Sequence, residues 1–162
     1  MADEQIVGSR RAGLMCLPLG SIRWSDVATG TGMDQREAVQ DVLEDEGVTV
    51  APLAESAGST LRIRGSVTTA DFRLCARRWA LGDAKALSGD AQLSMEWRIE
   101  GRADPSAKHL SAVSVHIDPK HAASTGAIYR LLLKAAAQDL ATWLAHPDAG
   151  KAPVRSKDRT GA

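Results

Sequence analysis

Net charge is the first thing this chain lacks. Twenty acidic residues cancel twenty basic ones across 162 positions. A neutral domain does not carry the electrostatic footprint of a general nucleic-acid binder. Long apolar runs are also missing: none approaches the ~20 residues that a membrane-spanning helix needs. Cysteine is limited to Cys16 and Cys75, which argues against a multi-cysteine zinc site. Aromatics are scarce, with four Trp, one Tyr and one Phe. The first eleven residues are polar and show no apolar core of a signal peptide. Gly13-Leu14-Met15-Cys16 faintly echoes a lipid-attachment box, but no hydrophobic run precedes it. The start fits a cytosolic protein, and it equally fits an initiator Met placed where a signal sequence was removed.

What is present is alternation. Ala91, Leu93, Met95, Trp97 and Ile99 are separated by Gln92, Ser94, Glu96 and Arg98, the period-2 pattern of a half-buried strand over 90–100. Residues 12–24 read as a first strand, with Pro18 marking an edge or a bulge. After a Gly/Thr/Ser loop at 25–33, Asp34 and Glu37 resemble a capping box. Ala38, Val39, Val42 and Leu43 give that helix an apolar stripe, and Gly47 stops it. A short strand is expected at 48–53. The strand from Leu61 has apolar residues at odd positions (Leu61, Ile63, Val67) and then at even ones (Phe72, Leu74). That parity change requires one extra residue near Thr69–Asp71. Residues 80–89 read as a loop and 109–117 as a further strand. A helix over 124–145, capped by Ser124 or Thr125, closes the pattern.

The expectation is an α+β two-layer sandwich in the order β-α-β-β-β-β-α. The sheet is largely antiparallel, with two helices on one face. The domain spans 12–147, between a flexible N-terminus (1–11) and a disordered, Pro/Gly/Lys/Arg-rich tail (148–162). The opposite sheet face would carry Arg62, Arg64, Gln92, Glu96, Arg98 and His116. A sheet edge near Pro18 could pair with another copy.

The chemistry-bearing residues form few constellations. His116 and Asp118 share one side of a strand, but His109 has the other parity and His121 lies beyond a proline, so scattered surface histidines are the better reading than a metal site. Gly30-Thr31-Gly32 lacks the third glycine of a dinucleotide fingerprint and the Gly-Lys-Ser/Thr of a phosphate loop. Cys75 shares its strand face with Arg73 and Arg77, yet no histidine stands as its base. Cys16 and Cys75 fit one disulfide, or two buried thiols. Glu44, Asp45 and Glu46 read as a solvated helix end. Arg73, Arg77, Arg78 and Trp79 remain the best candidate contact surface, since basic residues beside a Trp can hold anions or lipid head groups. The alternative there is a strand end with solvated arginines and Trp79 in the core.

Three segments carry a resemblance. They are Leu61-Arg62-Ile63-Arg64-Gly65-Ser66-Val67, the strand Gly89 to Ile99 with its Trp, and the Ala-rich helix Ala127 to Leu144 with its late Trp143. Together they resemble the small envelope lipoproteins of Gram-negative bacteria, of the ABC-transport auxiliary and outer-membrane assembly types. The likeness extends over residues 12–145. It implies a non-enzymatic, periplasm-facing α+β domain that docks protein partners in transport or assembly of envelope components. It implies no cofactor, no metal and no catalytic residue. The chain departs from the family in lacking a lipid-attachment box. A cytosolic interaction or regulatory domain of the same fold is the alternative expectation, and a small ligand-binding enzyme a third.

Overall fold

A computed structural model describes residues 3–13, 15–28, 32–50, 62–78, 85–100, 108–118 and 124–146; the side chains of 32–34, 77–78 and 85–86 stand outside that description. Five strands form one sheet: β1 (Ile6–Ala12), β2 (Leu17–Arg23), β3 (Arg62–Arg78), β4 (Lys85–Glu100) and β5 (Lys108–Ile117). Their order across the sheet is β2-β1-β3-β4-β5. The β1–β3 pair is parallel; β1–β2, β3–β4 and β4–β5 are antiparallel. Three helices stand among the described residues: α1 (Trp24–Val27), α2 (Gly32–Asp45) and α3 (Thr125–Ala145). The fold is the α+β sandwich that the patterning predicts.

The alternation in β4 works as read. Ala91, Leu93, Met95, Trp97 and Ile99 are all buried beneath α3, which lies on β4 and β5. Ile128, Leu132, Ala136 and Leu140 supply the facing side of α3, one residue per turn or so, as a helix stripe requires. Ser124 caps α3, its side chain accepting from the Ala127 amide at 3.1 Å. Helix α2 packs on α3 and adds Ala38 and Leu43 to the core. Burying a Leu- or Phe-sized side chain contributes about 2 kcal/mol, so these apolar stripes provide the main driving force.

The parity change in β3 is real. Val67 faces Met95 and Ala70 faces Leu93, with a register shift between Val67 and Thr69. The extra residue lets Ile63 and Phe72 point to the same layer despite opposite parity. At Gly47, φ is +82°. The Gly47 amide donates to Glu44 O at 2.9 Å and the Val48 amide to Leu43 O at 2.8 Å, the hydrogen-bond pair of a Schellman stop.

Several expectations are corrected. The expected single strand at 12–24 is a turn and β2, and β1 occupies positions 6–12 ahead of it. The element order is therefore β-β-α-α-β-β-β-α. Residues 6–11 belong to the sheet. Cys16 lies in the turn between β1 and β2, not in a strand. Helix α2 begins at Gly32, so Asp34 lies inside the helix rather than ahead of it. Of the strand expected at 48–53, residues 48–50 are irregular and 51–53 lie outside the described residues. Residues 85–89, expected in a loop, extend β4. Residues 148–162 lie outside the described residues, as does Pro147.

Candidate functional site

The sheet face away from the helices is polar and solvated. Arg64 pairs with Glu100, Arg98 and Lys108 with Glu96, and Arg73 with Asp71. His116 Nδ1 meets Asp90 Oδ1 at 2.8 Å across the β4–β5 ladder. Between these charged ends lie Ser66, Thr68, Gln92 and Ser114, small or neutral. The Arg98 side chain donates to Glu96 at 2.7 Å and holds its carboxyl below the usual carboxylate range. This is a solvated surface of paired charges, with Leu110 exposed opposite Glu96.

The two described β5 histidines diverge. His116 serves the open face, while His109 turns to the helix layer and meets Asp139 of α3 at 2.7 Å. Its ring stacks on Trp143 with centroids 5.1 Å apart. His121 lies outside the described residues, as does Thr31 of the Gly30–Gly32 loop.

Sequence reasoning missed what His109 joins. Ser111 Oγ donates to the same Asp139 oxygen at 2.6 Å and accepts from Trp97 Nε1 at 2.9 Å. Serine, histidine and aspartate thus meet, but not in a nucleophilic order. In a hydrolase the imidazole must accept the serine proton. Here both groups end on one carboxylate oxygen, the serine hydroxyl is bonded away from the ring, and Ser111 is only 1% exposed. The arrangement ties β4 and β5 to α3. Its signal in the sequence is a polar residue at an inward position of β5, opposite Met95.

The candidate contact segment falls partly inside the description. Arg73 is exposed and ion-paired to Asp71 at 2.9 Å. Arg77 and Arg78 are the last residues of β3, paired with Ala86 and Lys85; their side chains, and Trp79, lie outside the described residues. Cys75 sits just before them. It forms a disulfide with Cys16, with Cα atoms 5.5 Å apart. The bridge anchors the β1–β2 turn to β3, across β1. Cys16 has φ +49°, in a left-handed region that costs a side-chain-bearing residue about 1 kcal/mol; the bridge and the Cys16 amide, which donates to Gly13 O at 3.2 Å, keep it there.

No protein-family model, curated protein or solved structure matches the chain significantly. Among the described residues, no helix is long and apolar enough to cross a membrane.

Proposed function

We propose that this protein is a non-enzymatic docking domain of the Gram-negative cell envelope. It works on the periplasmic side and holds protein partners in transport or assembly of envelope components. The observation that carries the reading is the Cys16–Cys75 bridge, because disulfides persist where the compartment is oxidising. The open face supports docking rather than turnover, because its charges are paired with one another instead of converging on one point. The Ser111–Asp139–His109 cluster supports the same reading, being committed to holding the layers together.

Thiol labelling of the protein as it leaves its host cell tests this. Alkylation before reduction should add no mass, and alkylation after reduction should add two labels. Two labels without reduction would overturn the envelope assignment in favour of a cytosolic interaction or regulatory domain. In-cell crosslinking from the Arg73 end of the open face should then capture an envelope protein.

A further inference from the structure

We propose that the disulfide-locked corner of the sheet docks on the surface of an anionic lipid bilayer. Six large apolar side chains stand exposed among the described residues, and three lie within five positions: Met15 at 82%, Leu17 at 64% and Leu19 at 66%. Single exposed leucines need no explanation, whereas a cluster marks a contact surface. Cys16 sits in the middle of this cluster and is tied to Cys75. The bridge fixes this corner against β3.

Charge identifies the occupant. No acidic residue stands between Glu4 and Asp26. Arg10 and Arg11 are exposed on β1, beside the corner. Consecutive strand residues project to opposite faces, so the two guanidinium groups flank the corner on both sides. Elsewhere on the strands Arg23, Arg64, Arg73 and Arg98 are each paired with a carboxylate, and the one other exposed strand arginine without an ion pair among the described residues, Arg62, lies at the opposite end of β3. Arg10 and Arg11 have no ion pair among the described residues. A protein of zero net charge thus holds unneutralised positive charge next to its most exposed apolar side chains.

The spacing fits a bilayer surface. Leu17 pairs with Ala12, one strand residue, about 3.4 Å, beyond Arg11, and Met15 lies further out in the turn. Interfacial elements bury their apolar side roughly 5–10 Å deep. Met15 and Leu17 would then enter the acyl boundary while the arginines stay level with anionic headgroups. Another chain fits the same corner poorly. Pro18 offers no backbone donor, and the register shift between Arg10 and Arg11 interrupts the strand pair; both discourage strand addition. A second copy would also bring Arg10 and Arg11 against their own kind.

This proposal deepens the docking reading and shares its oxidised cysteines. Co-sedimentation of the purified, oxidised full chain with vesicles tests it. One set holds phosphatidylcholine alone and the other phosphatidylcholine with phosphatidylglycerol. The protein should bind only the anionic set, and raised salt should weaken it. Arg10→Gln with Arg11→Gln should reduce binding roughly thirtyfold, and Leu17→Ser with Leu19→Ser should reduce it too. All four side chains are solvent-exposed, so unchanged thermal melting serves as the folding control. Equal binding to both sets, no binding, or binding untouched by either double variant would overturn the proposal. So would a soluble dimer that Leu17→Ser with Leu19→Ser converts to monomer, since the corner would then be a contact between copies. Thiol labelling decides the compartment without vesicles, and vesicle binding decides the bilayer without reference to the compartment.

Discussion

Ser111 shows how much one hydroxyl can hold. It accepts the Trp97 indole proton and donates to Asp139, while His109 takes the same carboxylate and stacks on Trp143. Removing the hydroxyl leaves a buried indole N–H unpartnered. Ser111→Ala should therefore cost about 1–3 kcal/mol in urea unfolding, with no new cavity of consequence. An unchanged midpoint would mean that the hydroxyl is not holding the layers. Glu96 gives the second residue-scale prediction. Its folded pKa is depressed, first by the Arg98 hydrogen bond. A depressed carboxylate adds stability above its unfolded pKa, and that stability is lost as pH falls through the folded value. Urea midpoints should drop as pH falls below the ordinary glutamate range, and Glu96→Gln should flatten the part of that drop due to this pair. Neither residue announces itself in sequence. Glu96 reads as one more polar position in an alternating strand, and Ser111 reads as an imperfection in the apolar side of β5.

At the scale of elements, legibility followed the regularity of burial. Strand β4 and helix α3 each bury one side continuously, so their periods survive in the sequence. The β1–β2 hairpin does not. Arg10 and Arg11 are both exposed, as are Leu17 through Ser21, so neither strand alternates. The turn residues Gly13 to Cys16 then merge two short strands into one apparent run. Gly8 is where the hairpin meets the rest of the sheet. A side chain there would place its Cβ 2.1 Å from the Phe72 carbonyl oxygen, inside the backbone of the parallel partner. Gly8→Ala should cost about 3 kcal/mol as β1 and β3 are forced apart. Gly20→Ala is the matched control: no atom lies within 4 Å of a Cβ there, so its unfolding midpoint should barely move. Equal effects of the two would show that the close approach does not limit this seam.

For the whole molecule the bridge matters more than any side chain. Cys16 and Cys75 are 59 positions apart, and closing a loop of that length restricts the unfolded chain by about 4 kcal/mol. Reduction, or Cys16→Ser with Cys75→Ser, should lower stability by up to that amount. Calorimetry with and without reductant would measure it. A change below about 1 kcal/mol would mean that the hairpin is held by strand pairing alone. The pairing of these cysteines was only half legible. Their number permits a bridge, but the run at 12–24 makes Cys16 look like a strand residue, and the turn that brings it to Cys75 depends on β1, which has no alternation of its own. The polar open face was readable because it is the complement of the β4 alternation. The apolar corner was not, because Met15, Leu17 and Leu19 look like core residues until the structure leaves them outside.

The parallel seam also sets an order of events. The β1–β2 hairpin and the β3–β4–β5 meander each close through neighbouring segments, whereas the seam joins Gly8 to Phe72. A ribosome delivers roughly 5–20 residues per second. The 59 positions separating Cys16 from Cys75 therefore take about 3–12 s to arrive. For that interval the β1–β2 segment has no β3 to complete its inner edge and Cys16 has no thiol of its own chain to pair with. A cell making this protein in quantity has to keep neighbouring nascent chains from matching them first.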